Sequence, residues 1–107
     1  MQRKKSKHKK AFEEFFEKAK EEFDSSLERL VLYGSVARDQ EEEDSDVDVF
    51  AVVKNREQKK QLQNLAFEIG LKHGVAFSPV VKTKDEYRNI KDSTYGREVR
   101  STGEIYV

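Results

Sequence analysis

The chain has 107 residues with five Gly, one Pro and neither Cys nor Trp, a size that fits one small domain. Only 36% of residues are apolar against 39% charged, so the core must be compact and most helices must keep a wide solvated face. No apolar run reaches membrane-spanning length, no apolar stretch follows the charged N-terminus, and cysteine is absent; these features exclude membrane spans, disulfide frameworks, thiol catalysis and Cys-ligated zinc. Two isolated histidines, His8 and His73, argue against His-ligated zinc as well. The composition predicts a soluble, cytoplasmic protein without a signal peptide. Its 21 bases balance 21 acids, but residues 1–10 hold six bases and no acid, leaving 15 bases against 21 acids in residues 11–107. An acidic body carries a basic arm.

Residues 1–10 have the composition of a solvated arm that frays or extends the first helix, and residues 11–107 read as a single domain. Phe12, Phe15, Phe16, Ala19 and Phe23 recur at helical spacing, predicting a helix from about Lys7 to Phe23 whose aromatic stripe packs on a sheet. Leu30 to Tyr33 is a short apolar run suited to a buried strand and is halted at Gly34. A short helical segment over Val36–Asp39 and an acidic loop over Gln40–Asp44 come next. Val47–Val53 has the near-continuous apolar content of a strand buried on both faces. Leu62, Leu65, Ala66 and Ile69 trace one stripe of a helix over Glu57–His73, with Gly74 as its C-cap. Val75–Val81 reads as a third strand, which Pro79 restricts to an edge or a bulge. A helical turn over Asp85–Ile90, a helix over Tyr95–Ser101 and a final strand over Ile105–Val107 complete an alternating order. This order predicts an α+β fold, a small mixed β-sheet with helices packed on it.

One segment carries chemistry. Gly34 and Ser35 sit where a strand turns into a helix; Gly permits close backbone approach, and free N–H groups with the Ser35 hydroxyl form a corner suited to polyphosphate. Asp46 and Asp48 lie two residues apart at the start of a strand, so both carboxylates project from one face with Cβ atoms about 6.5–7 Å apart. That spacing lets their oxygens hold one Mg²⁺ or a pair of ions roughly 4 Å apart. A phosphate corner beside a divalent-metal clamp describes a nucleoside triphosphate site.

Gly34-Ser35, ten intervening residues and Asp46-Val47-Asp48 form a G-S-x(10)-D-x-D pattern that resembles the DNA polymerase beta-like nucleotidyltransferase superfamily, and the short length resembles its minimal nucleotidyltransferase branch. The resemblance covers most of residues 27–107 and leaves the basic arm outside. It implies a polymerase beta-like palm fold. Gly34 and Ser35 would hold the triphosphate, Asp46 and Asp48 would coordinate two Mg²⁺, and Arg38 would support the loop or a phosphate. The implied activity is transfer of a nucleoside monophosphate, AMP from ATP, to a hydroxyl. The implied setting is a toxin–antitoxin pair in which a tyrosine of a HEPN-domain partner accepts the nucleotide.

Two positions depart from the pattern. Asp39 stands where the superfamily often has Gly, which bears on loop geometry. The third carboxylate, expected on the Val75–Val81 strand, is missing: Ser78 occupies that place, and no Asp or Glu occurs between Glu68 and Asp85. A missing general base typically costs about 10²–10⁴-fold in rate. Glu104 or a partner protein would have to supply the group. The rival reading is a degenerate module that binds nucleotide or a partner without turnover, and a third is nucleic-acid binding through residues 1–10.

Overall fold

In the computed structural model, which describes residues 5–107, helix α1 spans Lys7–Phe23 and begins where Ser6 Oγ accepts the Lys9 backbone N–H at 3.2 Å. The basic run therefore enters the helix at Lys7, and residues 1–4 lie outside the described residues. Phe12, Phe15, Ala19 and Phe23 face inward at helical spacing, with Phe15 and Ala19 fully buried. A short 3-10 turn, Asp24–Ser26, leads into strand β1, Leu27–Tyr33, which starts three residues earlier than the apolar run alone indicates. Glu28 and Arg29 extend it as exposed, charged strand residues that a hydrophobicity reading passes over.

Helix α2 spans only Gly34–Ala37, ahead of the Asp39 to Asp46 loop. Strand β2, Val47–Val53, is the central strand and is buried throughout except at Asp48. Helix α3, Arg56–His73, opens on the Asn55 side chain, which accepts the Gln58 N–H at 2.9 Å, and closes on Gly74 in the left-handed region at φ 68°. Strand β3 occupies Phe77–Thr83, two residues later than the sequence pattern places it, because Val75 is used to terminate α3: its N–H donates to Gly70 O at 3.0 Å. Helices α4 (Lys84–Ile90) and α5 (Thr94–Thr102) follow, and strand β4 is the short pair Glu104–Ile105.

The sheet order is β3-β2-β1-β4; β2 runs parallel to β3 and antiparallel to β1, and β4 is antiparallel to β1. Pro79 lies on edge strand β3, where its missing donor is tolerated. Alternation along the strands divides the core. Leu30, Leu32, Val49 and Ala51 face α1 and α3, whereas Val31, Phe50 and Val52 face Val99 of α5 and Tyr87 of α4. Phe50 meets the rings of Tyr87 and Tyr95 at centroid distances of 5.8 and 6.1 Å. His73, in the last turn of α3, ties that helix to α1 through Nε2 and Glu14 Oε1 at 2.9 Å. Among the described residues no helix is long and apolar enough to cross a membrane.

Candidate active site

The end of β1, the turn into α2 and the start of β2 bring the predicted site residues together. Gly34 has φ 74°, and a Cβ there would overlap Asp48 Oδ2, so this position excludes a side chain on two counts. The turn is closed by its own backbone: Arg38 N–H donates to Gly34 O and Ser35 O at 3.3 and 3.2 Å, and Gln40 N–H donates to Ser35 O at 2.9 Å. Since α2 has only four residues, its macrodipole is small, and free N–H groups with the Ser35 hydroxyl are what the turn offers an anion.

Asp48 sits opposite Tyr33 on β1 and opposite Ser78 on β3. Asp46 precedes the strand and accepts the Ser78 hydroxyl at 3.1 Å. Burial pushes the Asp48 carboxyl above its ordinary range, the Asp46 charge adds to the rise, and Arg38 opposes it. A cavity of about 310 Å³ opens in front of Asp48, bounded by Tyr33, Gly34 and Arg38 on one side and by Tyr95, Glu98, Val99 and Thr102 of α5 on the other. The Tyr33 and Tyr95 hydroxyls are 3.2 Å apart, and burial, this hydrogen bond and the Asp48 charge together raise Tyr33.

Glu98 is the residue that the motif does not reveal. Residues 95, 98, 99 and 102 recur at helical spacing, and that stripe is the sequence signal for an α5 wall. Glu104, considered from sequence as a replacement carboxylate, does not line the cavity. It accepts the Tyr106 hydroxyl at 3.0 Å, and the Tyr106 ring packs on Phe12 and Phe16 at 4.7 and 5.2 Å, toward α1.

The donor set suits a hard cation. Mg²⁺ is commonly held by one or two carboxylates together with substrate phosphates, and Asp46 and Asp48 present two mutually repelling carboxylates with the Ser78 hydroxyl beside them. Among the described residues no third His, Cys, Asp or Glu joins them in a metal-holding group.

The sequence profile of the nucleotidyltransferase domain family matches residues 7–99. The chain belongs to the nucleotidyltransferase family. The match takes in the Gly34-Ser35 turn, the Asp46/Asp48 pair and most of α5. A Methanocaldococcus jannaschii relative named "Putative protein adenylyltransferase" is 35% identical over 78 residues, covering 68% of this chain and 79% of the relative. A second of the same name and organism is 25% identical over 96 residues, covering 90% of this chain and 94% of its own length. Among solved structures, a toxin–antitoxin crystal structure with AMP-PNP superposes with TM-score 0.61 at 14% identity, covering 87% of this chain and 70% of that chain. A mutant of the MntA-HpeT toxin–antitoxin pair gives TM-score 0.60 at 16% identity, with coverages of 89% and 71%. At these identities the superpositions establish the fold.

Proposed function

We propose that this nucleotidyltransferase moves AMP from ATP to a hydroxyl of a protein acceptor, in a toxin–antitoxin setting where a tyrosine of a HEPN-type partner receives it. The single observation that carries the reading is the close approach of Gly34 to Asp48, where an added Cβ would collide with Oδ2: the candidate phosphate turn and the candidate metal carboxylate are packed against each other with no room for a side chain between them. The name of the Methanocaldococcus jannaschii relatives supports a protein acceptor, and the toxin–antitoxin neighbours support a partner protein.

Gly34 and Ser35 would hold the triphosphate, Arg38 would offset its charge, and Asp46 and Asp48 would hold Mg²⁺. Mg²⁺ bound there would supply charge neutralisation on the phosphates and lower the pKa of an attacking hydroxyl. The acceptor oxygen forms a bond to the α-phosphorus, the bond from that phosphorus to the β-phosphate bridging oxygen breaks, and pyrophosphate leaves. The hydroxyl proton passes to Glu98, whose carboxylate lines the cavity on the α5 side and has no side-chain hydrogen bond or ion pair among the described residues.

The test incubates the pure protein with α-labelled ATP, Mg²⁺ and candidate HEPN partners. Label transfer that is abolished by Asp46→Ala or Asp48→Ala supports the enzyme. Ser78 in place of a carboxylate favours a second reading, nucleotide or partner binding without turnover. Tight partner binding with no label transfer, unchanged by either substitution, would select it.

A further inference from the structure

On the α4/α5 face of the sheet, at the end away from Asp48, lies a second cavity of about 300 Å³. Val52 lines it and Tyr87 stands beside it, and the charged groups around it are Arg29, Lys84, Arg88 and Lys91 against a single acid, Glu28. Four cations and one carboxylate stand out in a body where residues 11–107 carry 15 bases against 21 acids. Glu28 is answered by Lys84 at 3.7 Å, and Arg88 has Asp85 at 3.5 Å. Arg29 and Lys91 have no acidic partner among the described residues.

Arg29 is held by two local devices. The β1–β2 register shifts between Leu27 and Arg29, an irregularity of the kind that re-aims a strand side chain. The Arg29 guanidinium then rests 5.5 Å from the centre of the Tyr87 ring, which is itself fixed against Phe50 at 5.8 Å. Three described cations of the N-terminal segment are by contrast engaged, Lys5 with Glu13, Lys7 with Glu43 and Lys9 with Asp39. The capacity to attract phosphate, which the sequence places on the arm, is at residues 5–9 neutralised by acids of the chain itself, and it is left open at Arg29 and Lys91.

We propose that this cavity is a second anion site, separate from the nucleotide site, that takes a phosphate group of a polyphosphate or phosphodiester chain. Two guanidinium forks and two ammonium groups around one space outnumber the two oxygens of a carboxylate. They match a phosphate, whose several oxygens accept from forks and point charges together.

The test titrates the protein, without Mg²⁺, with two probes: tripolyphosphate by calorimetry, and a fluorescent single-stranded RNA of about 12 nucleotides by anisotropy. Each phosphate contact on a single strand contributes about 0.7 to the slope of log K against log salt. We expect at least tenfold weaker binding in Arg29→Glu/Lys91→Glu, with the RNA salt slope reduced by about 1.4 for two lost contacts. Arg88→Glu/Lys91→Glu, which leaves the Arg29–Tyr87 packing intact, serves if the first variant fails to fold. Asp46→Asn/Asp48→Asn should bind both probes no more weakly than the parent. Binding that the charge reversals weaken, whether of both probes, of RNA alone or of tripolyphosphate alone, supports the site and identifies the source of its phosphate. Binding of neither, binding indifferent to both charge reversals, or binding lost only on deletion of residues 1–4 overturns it.

Discussion

Ser78 Oγ donates to Asp46 Oδ2 at 3.1 Å while the Ser78 backbone lies opposite Asp48 in the parallel β2–β3 register. One serine thus bonds one carboxylate from a backbone position paired with the other, where the resemblance calls for a third acid. The site has Asp48 on β2 and Asp46 just before it, a neutral donor on β3, and its remaining carboxylate, Glu98, across the cavity on α5.

This arrangement makes the roles of Ser78 and Glu98 separable. If Glu98 accepts the proton, Glu98→Gln lowers the rate of AMP transfer by about 10²-fold or more with little change in nucleotide affinity. Ser78→Asp, made in that background, restores at least a tenth of the loss, since it adds a carboxylate beside Asp46. Single-turnover rates with α-labelled ATP measure both. An unchanged rate in Glu98→Gln would remove Glu98 from the reaction.

Gly34→Ala should disable the site and weaken the fold together. The substitution forces a Cβ onto a residue at φ 74° and into Asp48 Oδ2, and a strained left-handed residue costs on the order of 1–3 kcal/mol. Urea denaturation should show a lower midpoint, and nucleotide titration should show lost affinity. Retention of both would mean that the turn opens at no cost, contrary to the packing described.

Much of this was legible in the sequence, for identifiable reasons. Val47–Val53 is apolar on both faces because it is the central strand, and Pro79 announces an edge because it cannot donate to a ladder. The G-S and D-x-D pairs are local signals, and the fold brings them together as their spacing predicts. The cavity wall escapes a motif reading because Tyr95 and Glu98 reach the site through tertiary packing of α5; their helical spacing marks one face of the helix but not what that face covers. The same holds for Arg29, whose position depends on a register irregularity between β1 and β2. Glu104 misleads in the opposite direction: it pairs with Leu32 of β1, one residue from Tyr33, but its side chain is engaged by Tyr106, whose ring packs toward α1.

Asp48 should illustrate a conflict between activity and stability. Its carboxyl is raised by burial and by Asp46, so the folded state holds this proton more tightly than the unfolded chain does. Its contribution is therefore most favourable at low pH and is lost as pH rises from the ordinary aspartate value through the raised one. Above that window the ionised carboxylate weakens the fold. Asp48→Asn should raise the melting temperature at pH 7–8 in the absence of Mg²⁺, with the gain shrinking toward pH 4, while AMP transfer is abolished. A variant less stable than the parent at pH 8 would show that Asp48 is not carrying an uncompensated charge there.

Glu86 behaves in the opposite sense. The Thr83 N–H, donating at 2.9 Å, and Lys59 hold its carboxyl down to about 2. Its contribution is present above the unfolded glutamate value and is lost as pH falls through that value toward about 2. Glu86→Ala removes half of the capping box of α4, so the melting temperature should fall at pH 7, and the difference from the parent should narrow as pH is lowered through 4. A pH-independent difference would assign the effect to the cap's geometry and not to the carboxylate charge.

The seam between α1 and the loop preceding Asp46 supplies the last prediction. Asp39 is a non-glycine residue at φ 57°, and its carboxylate pairs with Lys9; Ser6 Oγ donates to Glu41 Oε2 at 2.7 Å and Lys7 pairs with Glu43. Three contacts thus fasten the first turn of α1 to the loop that joins Arg38 to Asp46. Where glycine would adopt this backbone freely, Asp39 adopts it with Lys9 as partner. Exposed pairs contribute about 0.2–1 kcal/mol, so Lys9→Ala should weaken Mg-ATP binding by no more than about fivefold, and high salt should mimic it. Adding Asp39→Gly to Lys9→Ala should restore the affinity, because glycine holds the left-handed turn without the ion pair. Restored affinity together with an unrestored melting temperature would identify the seam as positioning the nucleotide turn; a lowered melting temperature with unchanged affinity would confine Lys9 to stability.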